Sequence, residues 1–219
     1  MNTAVTLAAG KGKKMWPYHE YHPKSALPVG GIPNILRLVK QLLAFEFQQI
    51  IIVTSHLHRK IRYIVGEEEH VSVVTIDAPL GTAYPLEKVI DQVASEDVLV
   101  VYGDIVMTDQ VLKCLIDGYR TKKYDGVALV NPLDLDQARS QDWMCVQTSP
   151  DGMIHAVYGH PRSHYVNQRL MGIFALRTEE LRDALQKNPG IMMNVNVGAM
   201  PHLEAELERT IINAMYEST

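Results

Sequence analysis

Short apolar runs alternate with amphipathic segments along the first two thirds of the chain. Apolar runs at residues 4–8, 50–53, 71–76 and 98–101 predict strands, and apolar residues recur at helical spacing over residues 34–47, 58–65 and 83–93. The uninterrupted runs are typical of strands that are buried on both faces. We therefore predict an α/β fold with a mainly parallel sheet and helices on each side.

The pattern changes in the last third. A helix is predicted at residues 111–119 and a strand at 126–130, and strands at 143–148, 153–157 and 170–176 then follow without the earlier alternation with helices. The first two of these strands flank Ser149-Pro150-Asp151-Gly152, which predicts a hairpin turn. We expect a small β-rich insertion that makes the sheet mixed and forms one wall of a pocket, with closing helices at residues 178–186 and 201–216.

Composition limits the function classes. The 219 residues are 47% hydrophobic and 21% charged, with a formal net charge of -4, which argues against broad nucleic-acid binding. Cys114 and Cys145 have no metal-type spacing and indicate a reducing compartment. No apolar stretch approaches the length that crosses a bilayer. We therefore expect a cytoplasmic protein that binds neither nucleic acid nor membranes.

A glycine and lysine turn, Gly10-Lys11-Gly12-Lys13-Lys14, follows the first strand directly. Glycines let main-chain amides approach phosphate oxygens, and lysines supply the compensating charge. A second element at residues 23–29, Pro-Lys-Ser-Ala-Leu-Pro-Val, adds Lys24. Together they predict an anion cradle for a nucleotide.

Two other glycine motifs do not fit this turn. A dinucleotide-binding fingerprint needs a third glycine where this chain has Met15. A Walker A loop needs a glycine at the position of Leu7 and a Ser or Thr at the position of Lys14.

Two further candidates lie downstream. Asp104 follows the strand at residues 98–101, and ligands collect beyond the carboxyl ends of parallel strands, so Asp104 is a candidate ligand of a divalent cation. Gly81-Thr82-Ala83 combines close backbone approach with a hydroxyl that can bind a ribose or base.

In this order the four elements resemble the family of sugar-1-phosphate nucleotidyltransferases. Its pattern of Leu-Ala-Ala-Gly-x-Gly-Thr-Arg-Met, Pro-Lys-x-Leu-x-Pro-Val-x-Gly-x-Pro, Gly-Thr-Ala and Gly-Asp is matched at residues 7–15, 23–33, 81–83 and 103–104. The resemblance implies a Rossmann-like fold in a single domain of residues 1–219. Its nucleotide-binding half would cover about residues 1–130 and its acceptor-binding half about residues 131–219.

The resemblance also implies roles for individual residues. Lys14 and Lys24 would be catalytic, stabilising charge on the reacting phosphates, and Asp104 would bind Mg²⁺. The nucleotide would be bound by a larger set, namely Leu7, Ala8, Ala9, Gly10, Gly12, Gly81 and Thr82. The partners are then a nucleoside triphosphate and a small phosphorylated acceptor, and a homo-oligomer is possible for this family.

Five positions depart from the family pattern. Lys13-Lys14 replaces Thr-Arg, which keeps a charge at the arginine position but loses its bidentate geometry. Ile76 stands where uridylyltransferases often carry a base-reading glutamine. On the acceptor side, Gly159 replaces a glutamate and Leu170 an asparagine. A second metal ligand usually lies in a segment past residue 219, so we expect a shortened chain or a naturally short homologue.

We therefore predict transfer of a nucleotidyl group from UTP or dTTP to a sugar 1-phosphate. The acceptor-side departures leave a cytidylyltransferase for phosphocholine or another alcohol phosphate as an alternative. Those departures and the missing second ligand leave a noncatalytic nucleotide-binding regulator as another.

Overall fold

One large mixed sheet organises the protein in a computed structural model that describes residues 1–77, 81–121, 124–133, 144–158 and 166–187. The strands in these ranges are β1 (Thr3–Ala8), β2 (Pro28–Val29), β3 (Ile32–Pro33), β4 (Gln49–Thr54), β5 (Val71–Thr75), β6 (Asp97–Tyr102), β7 (Gly126–Pro132), β8 (Cys145–Thr148), β9 (Ile154–Tyr158) and β10 (Gln168–Arg177). The α-helices are α1 (Asn34–Ala44), α2 (His58–Val65), α3 (Ala83–Glu87), α4 (Asp109–Arg120) and α5 (Thr178–Lys187).

The parallel half of the sheet has the order β5-β4-β1-β6. Strand β1 lies at its centre, with Leu7 opposite Val53 of β4 on one side and Tyr102 of β6 on the other. Strands β1, β4 and β6 are the apolar runs that predicted buried strands, and nearly all their residues are buried.

Strand β10 joins this half to an antiparallel half. Its residues 173–177 pair with β6, and Gln168 and Arg169 pair with β8, while β7 pairs along much of its length. Strands β8 and β9 form the predicted hairpin, whose turn is closed by the Gly152 N–H donating to the Ser149 carbonyl at 3.0 Å. The predicted mixed, mainly parallel α/β sheet is confirmed.

Helices cover both faces of the sheet, as predicted. Because side chains alternate along a strand, neighbouring residues such as Ile50 and Ile51 belong to different cores. One core includes residues of α3 and α5, and the other includes residues of α1, α2 and α4. This sandwich holds the carboxyl ends of β1 and β6 in a rigid frame.

Two predicted helices are shorter than expected. Helix α1 ends at Ala44 because Glu46 takes φ +63°, and the Phe47 N–H then donates to the Leu42 carbonyl at 3.2 Å. A glycine is the usual signal for this ending, and the sequence has none there. Helix α3 ends at Glu87, Val89 leaves helical geometry at φ −126°, and one 3₁₀ turn follows at Ile90–Gln92.

The segment 83–93 still buries the residues that its helical pattern marks as apolar. Leu86, Val89, Ile90 and Val93 all lie in one core. Hydrophobic burial thus decides which side chains face inward, although the β-branched Val89 does not continue the helix.

Some predictions fall outside the described residues. They are the helix at residues 201–216, the start of the strand at Trp143, and the acceptor-side position Gly159. The division of the chain into a nucleotide-binding and an acceptor-binding half also stays a prediction. Within the described ranges, none of the helices has the length and apolar character that a membrane crossing requires.

A close contact links β10 to β6. Gly172 has φ +68° where the pairing of β10 with β7 shifts register. A Cβ at this position would lie 2.6 Å from Cδ2 of Tyr102, so only glycine leaves room for the Tyr102 ring. The ring also packs at 58° to that of Phe174, with centroids 6.3 Å apart.

The buried pair of Tyr119 and Asp97 predicts a pH dependence of stability. Tyr119 is 2% exposed, and its hydroxyl donates to Oδ1 of Asp97. Burial, together with this hydrogen bond, raises the pKa of Tyr119 far above its ordinary value of 10. Above pH 10 the unfolded state therefore loses a proton that the folded state keeps, and the free energy of unfolding falls by about 1.4 kcal/mol per pH unit.

We expect this decrease in the free energy of unfolding in the wild type. The Tyr119→Phe variant should lack it, because phenylalanine has no hydroxyl to ionise. Urea denaturation at pH 8.5 and pH 11 measures the gap in unfolding free energy between the two proteins, which should narrow by about 1.4 kcal/mol. The two proteins differ only in the Tyr119 hydroxyl, so a change in the gap reports on that group. A gap that is the same at both pH values contradicts the prediction.

Candidate nucleotide site

The predicted site residues converge at the carboxyl edge of β1 and β6. The Gly103 N–H donates to the Leu7 carbonyl at 2.8 Å, one residue beyond the end of β6. A Cβ on Gly103 would lie 3.0 Å from that of Ala8 and 3.2 Å from the Leu7 oxygen. The absence of a side chain at Gly103 therefore lets the Gly-Asp element lie directly against the end of β1.

The glycine turn leaves β1 at this same edge. Ala8 and Ala9 are buried and Gly10 is exposed. Gly12 takes φ +67° and precedes a 3₁₀ turn at Lys13–Met15. In the described part of the chain, the main-chain N–H groups of residues 10–12 donate to no main-chain carbonyl. Such amides are available to an anionic ligand.

The two halves of the lysine-rich motif meet at Gly12. A Cβ on this residue would lie 3.2 Å from Cβ of Lys24. Lys24 begins a 3₁₀ turn at Lys24–Ala26, whose next residue, Ser25, is buried against Gly103. Lys24 therefore lies between the glycine turn and the Gly-Asp element, although it comes ten positions after Lys14 in sequence.

Lys24 and Asp104 form an ion pair between Nζ and Oδ2. The Lys24 side chain is 49% exposed and that of Asp104 is 29% exposed. An ion pair this accessible to water contributes about 0–1 kcal/mol, so either group can exchange its partner at little cost. The pair places one positive and one negative group side by side at the mouth of the glycine turn.

Gly81 and Thr82 lie at the start of α3, which packs against β1. Gly81 takes φ +84°, and Ala83 shares a core with Ala9. The Thr82 hydroxyl oxygen is buried, does not cap the helix, and has no hydrogen-bond partner among the described residues. The predicted contact of this hydroxyl with a nucleoside stays a prediction.

Three polar residues of α1 were missed by sequence reasoning. Asn34, Arg37 and Gln41 donate to main-chain carbonyls of the segment that contains Asp104. The available signal was their spacing, since positions i, i+3 and i+7 share one face of a helix. They lie beside apolar residues that face the core, so the amphipathic pattern alone did not mark them.

Three other positions singled out in the sequence differ in their exposure to solvent. Lys14 is exposed on the 3₁₀ turn after Gly12, and its role at the phosphates stays a prediction. Ile76 is buried in a core, and its N–H donates to the Thr54 carbonyl. Leu170 is also buried, 7% exposed, and offers no polar side chain to a ligand.

The donor set fits Mg²⁺. The described residues contain no group of three or more His, Cys, Asp or Glu that could hold a metal. Mg²⁺ does not require such a cage, because it commonly binds through one or two carboxylates together with substrate phosphates. Asp104, partly exposed beside the glycine turn, is a carboxylate of this kind.

The family model for the MobA-like NTP transferase domain matches residues 4–190. The chain belongs to this family. Every site residue discussed above lies within the matched region of this MobA-like domain, and the predicted membership in the nucleotidyltransferases is confirmed.

Two curated relatives illustrate the similarity. A mannose-1-phosphate guanylyltransferase from Mycobacterium tuberculosis is 28% identical over 126 residues, which cover 56% of this chain but 35% of the relative. A UTP–glucose-1-phosphate uridylyltransferase from Haloferax volcanii is 28% identical over 174 residues, covering 78% of this chain and 70% of the relative. The mycobacterial enzyme is thus matched over about a third of its length.

Solved structures share the fold of the MobA-like domain. A putative glucose-1-phosphate thymidylyltransferase from Bacillus anthracis has a TM-score of 0.76 at 18% identity, covering 95% of this chain and 84% of its own. An inositol-1-phosphate CTP transferase from T. maritima has a TM-score of 0.66 at 20% identity. The match covers 83% of this chain and 72% of the other. These likenesses confirm the predicted α/β architecture.

A methyl group at Gly12 tests the geometry of the turn. We expect Gly12→Ala to lower the free energy of unfolding by about 1–2 kcal/mol, because alanine is strained at positive φ and its Cβ would press on Lys24. Gly118→Ala is the matched control, since Gly118 lies in α4 with no atom within 4 Å of a new Cβ.

The free energy of unfolding of Gly118→Ala should rise by about 0.5–1 kcal/mol, because alanine favours the helix more than glycine does. Urea denaturation of the two variants and the wild type measures both changes. Equal stability of Gly12→Ala and the wild type would show that the turn does not constrain Gly12 as described.

Proposed function

We propose that this protein transfers a nucleotidyl group from a nucleoside triphosphate to a sugar 1-phosphate and releases pyrophosphate. The observation that carries the proposal is the convergence of the Gly12 turn, Lys24 and Asp104 at one edge of the sheet. The similarity to guanylyl- and uridylyltransferases of sugar 1-phosphates supports the choice of acceptor.

In the proposed reaction, an oxygen of the acceptor phosphate attacks the α-phosphorus of the triphosphate. The bond from the α-phosphorus to the oxygen that bridges to the β-phosphorus breaks, and pyrophosphate leaves with that electron pair. The attacking phosphate is already ionised at neutral pH, so no general base is needed. Catalysis then consists of alignment and of stabilising negative charge.

The glycine turn and the lysines supply the anion-binding part of this site. Main-chain N–H groups at Gly10 and Gly12, at the end of the segment that begins with Leu7, would donate to phosphate oxygens. Lys24 would leave Asp104 for a phosphate oxygen, which the weak and exposed ion pair permits. Lys14 would add a second positive charge from the neighbouring turn.

Asp104 would hold Mg²⁺ once Lys24 has moved to the phosphates. The ion would supply charge neutralisation on the phosphates while Asp104 fixes its place at the edge of the sheet. Thr82 would face the nucleoside with its buried hydroxyl.

For the donor we propose UTP or dTTP. Support comes from the uridylyltransferase that matches over 70% of its length and from the thymidylyltransferase fold. Ile76 is buried and packs in the core, so it does not replace the base-reading glutamine of relatives. Base choice would then rest on main-chain groups and on Thr82.

The acceptor side favours a second candidate. Leu170 is buried where relatives carry an asparagine, which removes one polar contact to a hexose. An alcohol phosphate such as phosphocholine, with CTP as donor, needs fewer such contacts. The fold of an inositol-1-phosphate CTP transferase supports this alternative.

Substitution of the central ion pair tests the residue roles. We expect Lys24→Ala and Asp104→Asn each to lower kcat by about 10²–10³, because the first removes a positive charge from the reacting phosphates and the second weakens the site for Mg²⁺. Lys113→Ala and Asp117→Asn are matched controls, since that exposed pair lies on α4. Pyrophosphate release measures turnover, and thermal unfolding checks the fold. Turnover at the wild-type rate in either site variant contradicts the assignment.

A substrate panel tests the reaction class. We expect pyrophosphate release with UTP or dTTP and a sugar 1-phosphate, and none after removal of Mg²⁺ with EDTA. CTP with phosphocholine is the second arm of the panel. Calorimetry that detects nucleotide binding, alongside no release from any acceptor, would instead support a noncatalytic regulator.

A further inference from the structure

The segment between β6 and α4 carries Asp104 but has no regular secondary structure over residues 103–108. Its carbonyls need other partners, because a buried carbonyl without one is costly. Three alternate carbonyls, those of Gly103, Ile105 and Met107, are bound by side chains of one face of α1.

Asn34 makes the central contacts. Its Nδ2 donates to the Gly103 carbonyl at 3.1 Å and to the Ile105 carbonyl at 3.0 Å. These two carbonyls flank Asp104 on either side. Asn34 is 3% exposed, so the contacts lie away from competing water.

Arg37 fixes the orientation of the Asn34 amide. Its Nε donates to Oδ1 of Asn34 at 3.1 Å, and its Nη1 donates to the Met107 carbonyl at 3.0 Å. Arginine can only donate and carbonyls can only accept, so the amide oxygen must face Arg37 and the amide nitrogen must face the loop. Gln41 extends the array by donating to the Asp109 carboxylate at 2.6 Å.

Asn34 also contacts the other half of the site. Its main-chain N–H donates to the Leu27 carbonyl at 3.0 Å, directly after the 3₁₀ turn that carries Lys24. One residue is therefore bonded to both the segment of Lys24 and the segment of Asp104. These are the two side chains that form the ion pair.

We propose that Asn34 is a positioning residue that holds Asp104 in register with Lys24 for the metal-bound triphosphate, with Arg37 fixing the Asn34 amide. This inference rests on the proposed function. Partners that orient a metal ligand typically change metal affinity or activity by about 10- to 100-fold when they are substituted. Asn34 would act in this way through two carbonyls instead of through the carboxylate itself.

Asn34→Leu is the test variant, because leucine keeps the branching at Cγ and the main-chain bond to Leu27 while it removes both donations to the loop. We expect the Mg²⁺ concentration at half-maximal pyrophosphate release to rise about 10-fold or more. Affinity for Mn²⁺ in the presence of a nonhydrolysable UTP analogue, measured by calorimetry, should fall by a similar factor. Lys40→Ala, on an exposed position of the same helix, is the control and should match the wild type.

A second readout does not depend on activity. Hydrogen exchange of the main-chain amides at residues 103–107 should be at least about 10-fold faster in Asn34→Leu than in Lys40→Ala, since the loop loses two of its anchors. Asn34→Asp, which keeps the shape but replaces the donor group with an acceptor, should show the same increase.

The outcomes separate the two claims. An active wild type combined with an unchanged Mg²⁺ dependence in Asn34→Leu would overturn the positioning role, even if that variant were less stable. A wild type that neither binds nucleotide nor releases pyrophosphate would overturn the proposed function, and the exchange experiment would then still report whether Asn34 holds the loop. Unchanged exchange in both Asn34 variants would overturn the structural basis of the inference.

Discussion

The hydrogen bond from the Gly103 N–H to the Leu7 carbonyl determines how the site is assembled. It extends the pairing of β1 and β6 by one step, to the point where both chains leave the sheet. The bond is 2.8 Å long, and because Gly103 has no Cβ it brings the glycine turn and Asp104 close together. The rest of the site depends on this close approach. Ser25 packs against Gly103, and this contact places the neighbouring Lys24 beside Asp104.

The sequence predicted the framework well because its strongest signals are physical constraints. Uninterrupted apolar runs such as residues 98–101 must be covered on both faces, and this requirement leads to a helix-covered sheet. The glycine turn and Asp104 were also identified, because each follows such a strand, and the Lys24 element was identified because the order of the motifs resembles that of a family. Their side-by-side placement then follows from parallel neighbours ending at the same edge.

Other features could not be predicted because their causes are nonlocal. The end of α1 depends on the positive φ of Glu46, and a glutamate in the sequence does not predict that conformation. The contacts of Asn34 depend on a loop about seventy residues away. The pairing of Lys24 with Asp104 likewise needs the fold before it can be seen. None of these interactions has a recognisable signal in the sequence, but together they set the geometry of the site.

The contact between Gly172 and the Tyr102 ring has a consequence for sequence variation in the family. The two residues lie on adjacent strands, and a Cβ at residue 172 would occupy space that the ring already fills. Relatives with this backbone can therefore place a side chain at the position of Gly172 only if the position of Tyr102 carries a smaller one. Because Tyr102 directly precedes Gly103-Asp104, such paired changes would couple the divergence of β10 to that of β6, the strand that leads into Asp104.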